Sequence, residues 1–73
     1  MIFYKIRLDQ LKDEDIGRYI SYGIDVVENE AVLRSVKDIT TDEARLSGLV
    51  DLCNKLQLSP VQLDDVIEDF LVF

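Results

Sequence analysis

Seventy-three residues, with 15 Asp and Glu against 8 Lys and Arg, give a net charge of −7, and 48% of the chain is apolar. That apolar share excludes a disordered chain, and the length limits it to one domain with one small core. The sign of the charge argues against nucleic acid and anionic membrane surfaces as partners.

One cysteine and no histidine rule out an internal disulfide and a Cys/His metal cluster. The opening run from Met1 to Leu8 lacks the basic-then-apolar layout of a signal peptide. No apolar run approaches the ~20 residues that span a bilayer. A cytoplasmic protein is expected. The charge is also uneven: residues 1–40 carry a net −2 and residues 41–73 a net −5.

Residues 2–8 alternate, with Ile2, Tyr4, Ile6 and Leu8 pointing one way and Phe3, Lys5 and Arg7 the other. That is the period of a half-buried strand. The acidic stretch from Asp9 to Ile16, followed by Gly17, predicts a loop between antiparallel strands. Residues 18–27 alternate again and bring Ile20, Tyr22, Ile24 and Val26 to one face. Glu28-Asn29-Glu30 is a polar break of hairpin length, and Asn tolerates a left-handed backbone. A third strand is expected from Ala31 to Lys37. There Val32 and Val36 flank Arg34 on one face while Leu33, Ser35 and Lys37 share the other, so alternation alone does not choose the core face.

Two helix starts follow. Thr40-Thr41-Asp42-Glu43 and Ser59-Pro60-Val61-Gln62 both read as capping boxes, a hydroxyl residue with Glu or Gln three positions on. The first helix is expected over 41–57, with Leu46, Leu49, Val50, Cys53 and Leu56 as its apolar stripe. The second begins at Pro60, a favoured first helical residue, and its stripe is Leu63, Val66, Ile67, Phe70 and Leu71. Only Leu58 and Ser59 separate the two, which predicts a helical hairpin. Gly23 in a strand and Gly48 in a helix are expected at a bulge or a close packing contact. Val72 and Phe73 extend the apolar run, either onto the core or into a dimer contact.

The expected architecture is α+β in the order βββαα. A three-stranded antiparallel β-meander (1–39) precedes a two-helix hairpin (40–73) packed on one face, all within a single domain of residues 1–73.

Several segments together carry a resemblance: Ser21 to Ile24, Val36 to Asp42, Asp51 to Asn54, Leu58 to Pro60 and Val66 to Leu71. Over roughly residues 19–71 the chain resembles a family of short acidic bacterial proteins of unknown function, associated with Gram-positive anaerobes. The resemblance implies a bacterial, free-standing domain and brings no activity with it.

The candidate site is the outer face of the second helix. Asp64, Asp65, Glu68 and Asp69 fall within ~140° of arc opposite the apolar stripe, at about 100° per residue. Asp64/Glu68 and Asp65/Asp69 are like-charge pairs one turn apart, each unfavourable to the helix. A solvated face that keeps a small protein soluble explains such a surface, and so does a docking surface for a basic protein. Pairing with Arg34, Lys37 or Arg45 is the intramolecular alternative. Phe3 and Tyr19, on the outer side of the sheet with Lys5 and Arg7, form a candidate second surface that a loop or another subunit would cover.

Other chemistries fit poorly. Asp64-Asp65 superficially resembles an Asp-rich magnesium motif, which needs a deep pocket between long helices. A calcium loop starting at Asp13 would place Gly and Glu where Arg18 and Ile24 stand. Cys53 falls in an apolar stripe and reads as a small buried hydrophobe, with no histidine to activate it. Aromatics and bases on one sheet face suggest an RNA platform, yet that half of the chain is net acidic.

The expected function is therefore a small cytoplasmic protein–protein interaction or regulatory module, not an enzyme and without a cofactor. A homodimer is a further expectation, because a chain this short buries little surface alone. The alternative is a small metal-dependent or ligand-binding accessory protein or enzyme subunit.

Overall fold

The computed structural model describes residues 1–72. Three antiparallel strands, β1 (Ile2–Asp13), β2 (Gly17–Glu28) and β3 (Ala31–Thr40), form one sheet in the order β1-β2-β3. Helix α1 (Glu43–Lys55), a 3-10 turn (Pro60–Gln62) and helix α2 (Leu63–Val72) follow. The βββαα order stands. Phe73, which the sequence placed against the core or in a dimer contact, lies outside the described residues.

The first two strands are longer than alternation suggested. Residues 9–13 are strand rather than loop, with Asp9 opposite Ser21, Leu11 opposite Tyr19 and Asp13 opposite Gly17. Acidic residues suit this stretch because it runs beyond the helices. The turn itself is only Glu14, Asp15 and Ile16. The Asp13 side chain accepts from the Asp15 and Ile16 amides, and Gly17 takes φ 80°. A three-residue hairpin loop ending in a left-handed Gly has that form. The second hairpin turns on Asn29 and Glu30 alone, both left-handed at φ 50° and 68°, the backbone of a type I′ turn.

Strand β3 runs on to Thr40 through two register shifts. Val32 pairs with Val27 and Val36 with Ile24, which belong to opposite faces of the sheet. Simple alternation had put Val32 and Val36 on one face; the shift at Val26/Val27 separates them. The second shift, opposite Gly23, lets Ile39 reach the core while Val32 stays 57% exposed. Gly23 is required there, because a Cβ would collide with the Val36 carbonyl oxygen.

The core lies between one face of the sheet and the helices. Tyr4, Ile24, Val26 and Ile39 meet Leu46, Val50 and Cys53 of α1 and Leu63 and Ile67 of α2. Burying each large aliphatic side chain contributes about 1.5–3 kcal/mol. Leu8 and Ile20 share this face by register but remain 55% and 45% exposed. The helices cover only the half of the sheet nearer Tyr4. The β1–β2 hairpin projects past them, which accounts for a longest dimension of 40 Å at about 3.3 Å per strand residue.

The helix ends differ from the capping boxes. Asp42, not Thr40, caps α1 by accepting from the Arg45 amide, while Thr40 Oγ1 accepts from the Asp42 amide. An Asp one turn before the stripe is the better cap because Thr40 is still held in β3. Ser59 makes no side-chain cap, and α2 starts through the 3-10 turn at Pro60. Helix α1 ends in a Schellman motif, with Gln57 left-handed at φ 51° and amides of Gln57 and Leu58 bonded to Asn54 and Cys53 carbonyls. Leu56 falls outside the buried stripe at 65% exposure. Gly48 is exposed with open space around its missing side chain, so no close packing explains it.

Candidate functional site

Burial of Leu63 and Ile67 fixes the rotation of α2 and turns Asp64, Asp65, Glu68 and Asp69 outward, all four exposed. They do not remain equivalent. Arg34 of β3 reaches Asp64 through two hydrogen bonds of 2.5 and 3.2 Å. These bonds, helped by the charge of Arg34, hold the Asp64 carboxyl below its ordinary range. They also raise the Arg34 guanidinium above its own. The remaining three, Asp65, Glu68 and Asp69, have no hydrogen-bond or ion-pair partner among the described residues.

Of the other two bases that could have quenched this face, Arg45 is engaged elsewhere, and Lys37 makes no ion pair with it among the described residues. Arg45 lies with its guanidinium 4.3 Å from the centre of the Phe70 ring and donates Nη2 to the Phe70 carbonyl at 2.7 Å. It thereby ties α1 to α2 and complements the negative end of the α2 dipole. Lys37 lies near Asp9, whose carboxyl is held low first by its bond to Arg7 and then by these neighbouring charges.

Phe3 and Tyr19 both sit on the outer face of the sheet, but they do not form one surface. Phe3 pairs with Val27, eight residues along β2 from Tyr19, a separation of roughly 26 Å. Around Phe3 the neighbours are apolar: Val27 is buried, apart from the helix-side core, and Val32 lies beyond it. Tyr19 donates its hydroxyl to Asp38, and Ser21 donates to the same carboxylate at 2.7 Å. Asp38 is held at φ 55° in the β3 irregularity, so this segment folds over Ser21 and buries it. Between the two aromatics Arg7 bridges Asp9 and Asp25, at 2.8 and 2.9 Å, and Ser35 also donates to Asp25.

One arrangement escaped the sequence altogether. The side-chain amide of Asn54, in the last turn of α1, accepts from the Tyr4 amide at 2.7 Å and donates to the Tyr4 carbonyl at 2.8 Å. An amide placed this way imitates a neighbouring strand and closes the edge of β1 at that residue. The Tyr4 hydroxyl donates to the Leu58 carbonyl at 2.5 Å, fixing the link between the helices. The only sequence signal was a polar residue beside the buried Cys53. That thiol is pushed up by burial, which makes it a poor nucleophile.

A shallow hollow of about 310 Å³, lined by Met1, Ile2 and residues 57–60, carries no titratable side chain. No group of three or more His, Cys, Asp or Glu among the described residues is placed to hold a metal ion. No helix among them is long and apolar enough to cross a membrane.

Comparison with known proteins gave no match to a curated protein and no match to a solved structure. A family model does match, over residues 1–72, covering every element from β1 to α2. The chain belongs to that family of unknown function, DUF6514.

Proposed function

We propose that this chain is a small cytoplasmic protein–protein interaction module whose α2 face, through Asp65, Glu68 and Asp69, receives a basic surface of another protein. The observation that carries the reading is the division of charge on α2. Arg34 satisfies Asp64, and Arg45 is turned to Phe70, so intramolecular bases within reach leave three neighbouring carboxylates exposed. Two of the three, Asp65 and Asp69, are a like-charge pair one turn apart, which a basic partner would relieve. The buried stripe of Leu63 and Ile67 holds the carboxylates on a rigid element.

A cross-linked capture from the native cytoplasm tests this, with the parent chain run beside an Asp65→Lys/Glu68→Lys variant. A basic partner should be enriched by the parent and lost by the variant, whose circular dichroism stays that of the parent. Equal capture by both proteins would contradict the reading.

A further inference from the structure

Strand β1 is the smooth edge of the sheet. Its pairing with β2 runs from Ile2 to Asp13 without a shift, whereas β3, at the other edge, carries two irregularities. Bulges of that kind blunt an edge against further pairing, and β1 has none. Its cover is the Asn54 amide at Tyr4. Because Tyr4 turns both main-chain groups away from β2, strand alternation turns those of Ile6, Leu8 and Gln10 to the same open side.

The same stretch is short of side-chain cover. Leu8 and Ile20 lie half exposed where the helix-side face runs out past α1. The accessible surface of 5282 Å² exceeds the roughly 4,600 Å² expected of a compact monomer of this mass. An open ladder edge and uncovered apolar side chains therefore coincide.

We propose that a second copy of this chain pairs antiparallel along β1, with the two Leu8 residues opposite one another, to make one six-stranded sheet. The register follows from charge together with the cover of Leu8. Outward-facing residues bond only to outward-facing ones, so the pairing shifts in steps of two. With Leu8 on Leu8, Ile6 meets Gln10 of the second copy beside Ile20. On the other face Arg7, already bonded to Asp9 and Asp25 of its own chain, meets Asp9 of the second copy, twice by symmetry, so that charges of alternating sign adjoin. One step towards the N-terminus sets Arg7 against Arg7. One step the other way sets Asp9 against Asp9, and a second sets Leu8 against Lys12. The chosen register alone covers Leu8 with Leu8, and it does so with opposite charges facing; with Leu8 against Lys12, Arg7 would meet Asp13, but Leu8 would lose its apolar cover. Both helix layers fall on one side of the joined sheet, and the α2 carboxylates play no part in the contact.

Sedimentation equilibrium on the full chain tests the proposal. The parent should sediment as a dimer of the 8.4 kDa chain. Asp9→Arg and Arg7→Asp should each weaken dimerisation by roughly tenfold, and mixing the two variants should restore it, because each copy then supplies the charge the other lacks. Oxidation of Leu8→Cys should give a cross-linked dimer. Lys12→Cys should not, since the two Lys12 positions lie about 27 Å apart in this register. Cys53 is buried and stays out of that reaction. A parent monomeric at every soluble concentration overturns the proposal. So does cross-linking of Lys12→Cys as readily as Leu8→Cys.

Discussion

At the scale of single residues the two interior glycines separate cleanly. Gly23 faces the Val36 carbonyl across the β3 irregularity, where a Cβ cannot fit, while Gly48 faces open space in an exposed helical turn. Gly23→Ala should therefore destabilise the fold by about 1–3 kcal/mol, the usual range for forcing atoms into a filled space. Gly48→Ala should stabilise it by about 1 kcal/mol, the difference in helix propensity. Urea unfolding of the two variants checks both signs. From sequence the glycines look alike, because each interrupts a regular element. What distinguishes them is the register of a neighbouring strand, which no local pattern encodes. The caps teach a similar lesson: Thr40 has the right side chain, but it still belongs to β3, and Asp42 takes the role.

Among the elements, the clip between Asn54 and Tyr4 joins the end of α1 to the edge of β1 across fifty residues of sequence. Removing it with Asn54→Ala deletes two hydrogen bonds, one to each main-chain polar group of Tyr4, and should cost about 1–2 kcal/mol. Tyr4→Phe, which loses only the bond to the Leu58 carbonyl, should cost about 1 kcal/mol. Denaturation midpoints at unchanged slope measure both. Strand and helix identities were legible because Ile2 to Leu8, Ile20 to Val26 and the stripes at Leu46 and Leu63 keep their periods. The β1 extension was hidden because residues 9–13 lie beyond the helices and need no apolar face. The acidic face of α2 was legible as a face, since helical spacing alone places it. Which carboxylate is quenched was not, because Arg34 lies thirty residues away and its reach depends on the β3 shifts.

For the molecule as a whole, pH should act from both ends. Asp9 and Asp64 sit below their ordinary values, first because of their bonds to Arg7 and Arg34. The unfolded chain therefore binds protons at these carboxyls first. Their contribution is complete above roughly pH 4–5 and drains away as the pH falls through the folded values. Burial raises the Cys53 thiol and the Tyr4 hydroxyl, the latter also feeling the Cys53 charge. There the unfolded chain loses protons first, so stability should fall as pH rises above about 8.5, and Cys53→Ala should remove the thiol's share. Urea midpoints collected from acid to alkali should trace this plateau with two falling arms.

The two proposals concern separate surfaces, the β1 ladder edge for a second copy and the acidic α2 face for a basic partner. The second of these defines the function proposed, and charge placement rather than net charge is its substance. The direct measurement is the affinity of the captured partner for two variants of equal net charge, Asp65→Lys/Glu68→Lys on α2 and Glu14→Lys/Asp15→Lys in the β1–β2 turn. The expected result is binding lost in the α2 variant and kept, within a few-fold, in the turn variant. Equal loss in both would mean that the partner reads only the overall charge, and the α2 face would no longer be the docking site.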